Sequence, residues 1–149
     1  LWDTTQKEAL EKGNLIHLLM SKIYTNSDIK MTLNDFFNAG VISSTQRDAL
    51  LSTLEAIVSH PLLAPYFDSN AEIYNEKEIM TSSGKIIIPD RLVVFEDLTA
   101  VVIDYKTGDS YGKHETQLEN YSEIIEEMGY TVIKKFLVYI NANLQVKEC

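Results

Sequence analysis

The fold is best predicted from the stretch VVIDYKTG, residues 101–108. Its first half is a run of β-branched residues typical of a buried strand, and its end places an acid and a base one residue apart. Side chains alternate between the two faces of an extended chain, so Asp104 and Lys106 lie on one face and Ile103 and Tyr105 on the other. This pattern fits either an ion pair at the rim of a sheet or a functional site.

Further strands are predicted on both sides of this one. Residues 71–80 and 85–95 are rich in Ile, Val, Tyr and Phe, and turn residues separate them from each other and from 99–106, which predicts three antiparallel strands. Helical spacing returns at about 113–128, and TVIKKFLVYI and LQVKE then predict two strands around the turn NAN. A helix between the third and fourth strands makes a crossover, which predicts a mixed sheet.

The first 65 or so residues have helical periodicity instead. Three helices are predicted, at about 5–23, 32–40 and 44–60. Residues that cap helix starts precede them: Thr5 with Glu8 three positions later, then Thr32, then Ser43 or Ser44. Gly13 is expected to interrupt the first helix. The predicted fold class is therefore α/β, a mixed β-sheet flanked by helices with an N-terminal helical layer, in a single domain over residues 1–149.

The charge of the chain disfavours a simple nucleic-acid binder. Acidic residues number 22 and basic residues 13, which leaves a net charge of −9, whereas affinity for phosphate comes from Lys and Arg. Acidic residues that converge in a cleft can instead bind a divalent cation. The composition is typical of a folded soluble protein, and no apolar stretch approaches the length of about 20 residues that spans a bilayer, so no membrane partner is expected.

The two ends of the sequence bear on its origin. The chain starts with Leu and has no basic and apolar leader, so we expect a segment of a longer polypeptide that is not secreted. Cys149 is the only cysteine, which excludes a disulfide within the chain and a cage of cysteines around zinc or an iron–sulfur cluster. A reducing, cytoplasmic compartment is expected.

Asp90 is the second acid of the predicted site. It follows IIIP in the second predicted strand, where Pro89 lacks a backbone donor and indicates a sheet edge or a bulge. A hairpin of the second and third strands would place Asp90 across from Asp104, and two close carboxylates repel each other unless a cation lies between them. Two separate rim acids exposed to water are the alternative.

The motifs resemble a known family. PD at 89–90 followed by DYK at 104–106 is similar to the signature of the PD-(D/E)xK nuclease superfamily, and IDYKTG resembles its RecB-like branch. GNLIHLLM at 13–20 is similar to the N-terminal helical motif of that branch, and QLENY at 117–121 to its Q-x-x-x-Y helix. The order of these elements also resembles the nuclease domain of UvrD/AddA-type helicase–nucleases. The resemblance implies a restriction-endonuclease-like fold.

The resemblance also implies roles for individual residues. Asp90 and Asp104 would hold Mg²⁺ or Mn²⁺, with the carbonyl oxygen of Tyr105 and the imidazole of His17 as further ligands. Lys106 would position or help deprotonate the attacking water and offset charge on the phosphorane. One metal ion suffices for this scheme, and a second remains open.

Three further polar residues are implied by the same family. The branch carries a glutamate on the first strand near the metal, and Glu76 and Glu78 share a face of that predicted strand; Glu78 is favoured because EI leads into its apolar end. Gln117 and Tyr121, spaced i and i+4, would share a helix face and bind near Lys106 or a DNA phosphate. A purely structural hydrogen bond explains Tyr121 equally well.

The expected function is a Mg²⁺- or Mn²⁺-dependent deoxyribonuclease that acts exonucleolytically on single-stranded DNA in recombination or repair. The strand would be delivered by a helicase domain of the parent chain or by a helicase–nuclease complex. The alternative is a catalytically silent nuclease-fold module that binds DNA or a partner protein. A third interpretation is a structural domain whose acids are rim charges. His114 and Lys113, in the predicted loop SYGKHE, are expected to be solvated; contact with a phosphate is the alternative.

Overall fold

The computed structural model of the protein describes residues 4–68, 70–108 and 112–149, without the side chains of residues 4–7, 9 and 10. The chain forms two compact units, Leu1–Ser69 and Asn70–Cys149. The first unit is helical, and the second combines a mixed sheet with a helix. The predicted α/β class is therefore confirmed. The prediction of a single domain over the whole chain stays a prediction.

The helical unit has three α-helices and two short 3₁₀ turns in the part that the structure describes, residues 4–68. The α-helices are α1 (Thr4–Ser21), α2 (Ile29–Asn38) and α3 (Ser44–Ser59), and the 3₁₀ turns are Asn26–Asp28 and Ala64–Tyr66. Apolar residues at helical spacing form the buried side of α3: Leu50, Leu54, Ile57 and Val58. Ser43 caps α3 in a capping box, because its Oγ accepts from the Gln46 N–H at 3.1 Å while Gln46 Oε1 accepts from the Ser43 N–H at 2.8 Å.

Two details of the helical prediction are wrong. Helix α1 continues through Gly13, since one glycine costs a helix only about 1 kcal/mol relative to alanine. Helix α2 begins at Ile29, so Thr32 is a buried interior residue and not a cap. The chain is instead turned before α2 by Asp28, whose carboxylate accepts from the Thr25 N–H at 2.9 Å. The predicted capping box of Thr5 and Glu8 depends on the Thr5 side chain, which is outside the described part of the structure.

Among its described residues, 70–108 and 112–149, the second unit has seven strands and one helix. Its strands are β1 (Glu72–Asn75), β2 (Ile79–Met80), β3 (Ile86–Ile87), β4 (Arg91–Val94), β5 (Thr99–Lys106), β6 (Thr131–Ile140) and β7 (Leu144–Glu148). The main sheet has five strands in the order β1-β4-β5-β6-β7, and only the β5–β6 pair is parallel. Helix α4 (Gly112–Glu127) connects that pair, so the predicted mixed sheet and its crossover are confirmed.

The first two predicted strands are each broken into two. Residues 76–78 and 88–90 leave the main sheet, and β2 and β3 pair only with each other in a small second sheet. Glu76 has a left-handed backbone with φ 51°, and Pro89 has no N–H for a ladder. Both residues interrupt regular pairing, so Asp90 immediately precedes β4 and is not part of a strand.

Helix α4 packs on the sheet through one apolar face. The buried residues of this core come from α4, from three neighbouring strands of the main sheet and from β3: Leu118, Ile124, Ile125, Leu92, Val94, Ala100, Val102, Leu137, Tyr139 and Ile87. Asp104 follows Val102 on the same face of β5, because side chains alternate along a strand. The strand that the sequence stretch VVIDYKTG predicts thus carries an acid at the end of an apolar core.

Candidate functional site

Two carboxylates meet where β4 begins and β5 ends. The pairing of Arg91 with Ile103 places the preceding residue, Asp90, beside Asp104. The Asp90 N–H donates to Asp104 Oδ1 at 2.9 Å, and the Tyr105 N–H donates to Asp90 Oδ2 at 2.8 Å. Each acid is therefore fixed by a backbone amide of the other strand segment, which determines where both carboxylates lie.

The environment of Asp104 opposes its negative charge. The residue is only 3% exposed, and burial together with the charge of Asp90 raises its pKa from 3.8 to about 6. The hydrogen bond from the Asp90 N–H and the charge of Lys106 act in the opposite direction. Lys106 Nζ lies 3.3 Å from Asp104 Oδ2. A buried carboxylate that repels its neighbour is stabilised by any added cation, and Lys106 supplies only part of that stabilisation.

Lys106 also connects the acids to helix α4. Its Nζ donates to Gln117 Oε1 at 2.6 Å, and Gln117 Nε2 donates to the Tyr121 hydroxyl at 2.9 Å. The two bonds fix the orientation of the Gln117 amide, because only its oxygen can accept from an ammonium. Burial and the charges of Asp104 and Asp90 raise the pKa of Tyr121 to about 12, so its phenol stays neutral at physiological pH. The ammonium is thus held between a carboxylate and an amide.

The two candidate glutamates lie in different places. Neither is in a strand, so the prediction that both share a strand face is wrong. The Glu76 N–H donates to the Asp90 carbonyl oxygen at 3.1 Å, which places the Glu76 backbone directly beside the site. Glu78 is exposed and lines a groove with Leu92, Val94 and Tyr130. By backbone position, Glu76 is the closer of the two to Asp90.

The remaining predicted ligands are His17 and Tyr105. His17 lies on α1 of the helical unit, where its Nδ1 is 2.9 Å from the carbonyl oxygen of Gly13, one turn earlier. Tyr105 has a buried side chain, and burial raises the pKa of its phenol. Its N–H holds Asp90, so the backbone of Tyr105 contributes to the placement of the acids.

The structure adds three residues that the sequence did not single out as a group. His114 lies in the first turns of α4, with Nδ1 3.1 Å from the Tyr139 hydroxyl, so the prediction of a solvated loop histidine is wrong. Asn141 makes two hydrogen bonds to the backbone of Gly108. An asparagine between two strands is a common turn residue, so no sequence signal distinguished it.

The donor set fits a hard divalent cation bound in part by its substrate. Mg²⁺ is usually held by one or two carboxylates, with water and substrate phosphates completing its coordination. Asp90 and Asp104 supply two carboxylates that repel each other. Within residues 4–68, 70–108 and 112–149, no group of three His, Cys, Asp or Glu side chains is arranged to hold a metal ion. The described site therefore fits a two-carboxylate arrangement and not a closed protein cage.

Comparisons with known proteins add little to this geometry. No family model and no curated protein matches the chain. Among solved structures, the chain is similar to one titled "Crystal structure of SSO0001", with 16% identity, a TM-score of 0.40, and coverage of 98% of this chain and 77% of that one. None of the helices that the structure describes is long and apolar enough to cross a membrane.

Proposed function

We propose that this chain is a metal-dependent nuclease of the PD-(D/E)xK type that hydrolyses phosphodiester bonds in single-stranded DNA. The observation that carries the proposal is the contact set at the end of β5, where Asp90, Asp104 and Lys106 converge. The sequence resemblance assigns catalytic roles to the same three residues. Two acids placed side by side against an apolar core repel each other and destabilise the fold. A cation bound by both carboxylates would offset this repulsion, and such arrangements are typical of functional sites.

Each of the chain's own residues has a role in this reaction. Asp90 and Asp104 would hold Mg²⁺ or Mn²⁺. The chemistry that such an ion supplies when bound is a more acidic water and a polarised scissile phosphate. Lys106 lies 3.3 Å from Asp104 and so presents its ammonium beside that ion's ligands, where it orients the attacking water and offsets charge on the phosphate. Gln117 holds the ammonium in this place.

The remaining residues contribute to the proposal in different degrees. Glu76 has the better position for the family glutamate, because its N–H bonds to the Asp90 carbonyl oxygen. Gln117 and Tyr121 act through Lys106 in this scheme. His17 is retained as a ligand only by the resemblance. Exonucleolytic action and delivery of the strand by a helicase domain likewise come from the resemblance.

The experiment is a cleavage assay with purified variants and labelled single-stranded DNA. We expect Asp104→Ala and Lys106→Ala each to lower cleavage in Mg²⁺ or Mn²⁺ by about 10²–10³-fold or more, because removal of a single group that stabilises transition-state charge typically costs about 10²–10³-fold. Lys134→Ala is the matched control, since Lys134 is an exposed lysine that pairs with Glu148 on the neighbouring strand. Circular dichroism checks that each variant is folded.

Activity of the folded Lys106→Ala protein equal to that of Lys134→Ala would overturn the proposal. A wild-type protein that binds DNA but cleaves neither single nor double strands in either metal would instead indicate the silent binding module. Cleavage that survives in EDTA would contradict the role of the metal.

A further inference from the structure

The end of strand β6 contacts the chain on both sides of residues 109–111. Gly108, which precedes this segment, is hydrogen-bonded to Asn141, and His114, which follows it, is hydrogen-bonded to Tyr139. Tyr139 and Asn141 are two residues apart at the point where β6 ends. We call these two interactions the β6-end contacts. They connect one strand end to the segments that carry Lys106 and Gln117.

The Asn141 contact extends the sheet beyond its last backbone pair. Lys106 pairs with Tyr139 in the parallel ladder, and two residues further along each strand Gly108 faces Asn141. Asn141 Oδ1 accepts from the Gly108 N–H at 3.0 Å, and Nδ2 donates to the Gly108 carbonyl oxygen at 2.8 Å. The side-chain amide thus satisfies both backbone groups of Gly108, whose φ of 92° is a left-handed conformation that glycine adopts readily.

The Tyr139 contact fixes the start of α4. Tyr139 is 2% exposed and belongs to the core between α4 and the sheet, and its ring lies 5.8 Å from that of His114. His114 precedes Gln117 by three residues, so the two lie on neighbouring positions of one helix face. A hydroxyl anchored in the core therefore sets the rotation of the turn that presents Gln117 to Lys106.

We propose that Tyr139 and Asn141 are positioning residues for the cleavage reaction, which they serve by holding Lys106 and Gln117 in register. The inference rests on the proposed nuclease function. Lys106 Nζ must lie between Asp104 and Gln117, at 3.3 and 2.6 Å, and these distances depend on where β5 ends and where α4 begins. A misplacement of about 1 Å in a catalytic group can cost about 10²-fold in rate.

The test measures kcat and KM for single-stranded DNA in saturating Mg²⁺ for Asn141→Ala, Tyr139→Phe and the control Asn143→Ala. Asn143 is an exposed asparagine of the same turn. We expect kcat to fall by about tenfold or more in Asn141→Ala and Tyr139→Phe, with KM within about twofold of wild type, because orientation and not binding is lost. Asn141→Asp keeps the acceptor for the Gly108 N–H and loses the donor, so we expect its kcat to be intermediate.

Hydrogen exchange provides a second measurement that is independent of catalysis. Exchange of the Gly108 amide should be faster in Asn141→Ala than in Asn143→Ala, since its acceptor is removed. Unchanged exchange, or faster exchange with a kcat equal to that of Asn143→Ala, would overturn the inference. If these exchange rates change as expected but the wild type does not cleave DNA, the proposed nuclease function is wrong. The β6-end contacts would then have no role in catalysis.

Discussion

The carboxylate of Asp104 dominates the electrostatics of the site. It lies at the end of an apolar core, accepts a hydrogen bond from Asp90 and touches Lys106. Its pKa is raised from 3.8 to about 6, so the folded protein binds this proton more tightly than the unfolded chain does. Between pH about 4 and about 6 the folded state therefore loses stability as pH rises, and the loss is complete above that window.

The first prediction concerns Asp90→Asn in the absence of metal. Burial is the main cause of the raised pKa of Asp104 and the charge of Asp90 is the second; the substitution removes that charge, while its amide oxygen can still accept from the Tyr105 N–H. We expect the variant to melt about 2–4 °C higher than wild type at pH 7, as a gain of about 1 kcal/mol would produce in a chain of this size. Below pH 4 the difference should vanish, because Asp104 is protonated in both proteins. Thermal melts in EDTA from pH 3.5 to 7.5 measure it.

A control separates this local repulsion from the general effect of an acidic chain. Glu96→Gln removes one negative charge from an exposed turn and should change the thermal midpoint little at any pH. If Asp90→Asn and Glu96→Gln give the same midpoint at pH 7, the two acids do not repel each other as described.

At the scale of single residues, sequence and structure agree where the interaction is local. The D-x-K spacing places Asp104 and Lys106 on one face of β5, and the i, i+4 spacing of Gln117 and Tyr121 places both on one side of α4. Asn141 could not be found this way, because its bond to Gly108 joins positions 33 apart in sequence. Such contacts depend on the register of two strands, which hydrophobic periodicity alone does not determine.

At the scale of elements, long periodic segments were predicted well and short strands were not. Strands β5, β6 and β7 and helix α4 fall close to their predicted ranges, because each has a strong apolar pattern. The predicted strands at 71–80 and 85–95 are broken by backbone conformation at Glu76 and Pro89. Hydrophobic periodicity contains no information on φ. It therefore predicted one strand in each case where the chain forms two strands that belong to different sheets.

The turn between β4 and β5 leads to the second prediction. Leu98 has φ 67°, a left-handed conformation that costs an L-residue about 1 kcal/mol or more, and the residue is 55% exposed. The Leu98 N–H donates a hydrogen bond to the Phe95 carbonyl oxygen, and the Leu98 carbonyl oxygen accepts one from the Thr131 N–H. These two hydrogen bonds hold the backbone in this conformation. Asparagine adopts it more readily, and we expect Leu98→Asn to stabilise the protein by about 0.5–1 kcal/mol.

Urea unfolding measures this effect as a higher midpoint with an unchanged m-value. Leu98→Ala is the matched control, because it removes the same exposed apolar side chain but keeps a residue that disfavours positive φ. If Leu98→Ala is as stable as Leu98→Asn, the gain comes from the lost leucine side chain and not from backbone strain.

At the scale of the whole molecule, the net charge of −9 weakens the affinity of the chain for DNA. The acidic surface repels phosphates, so we expect the isolated chain to bind DNA weakly and to lose that binding steeply as salt rises. Phosphate chemistry is compatible with such a surface only if the local charge at the site is reversed by a cation. The proposed function therefore requires that Asp90 and Asp104 bind a cation.

The most direct measurement is anomalous diffraction at the manganese edge from crystals of the wild-type chain grown with Mn²⁺. Our account predicts an anomalous peak within about 2.0–2.3 Å of carboxylate oxygens of both Asp90 and Asp104, typical of small divalent cations bound to oxygen. The same experiment on Asp104→Ala should show no peak there. A fully ordered Asp90–Asp104 pair without a peak at millimolar Mn²⁺, or a peak only at other acids, would contradict the account.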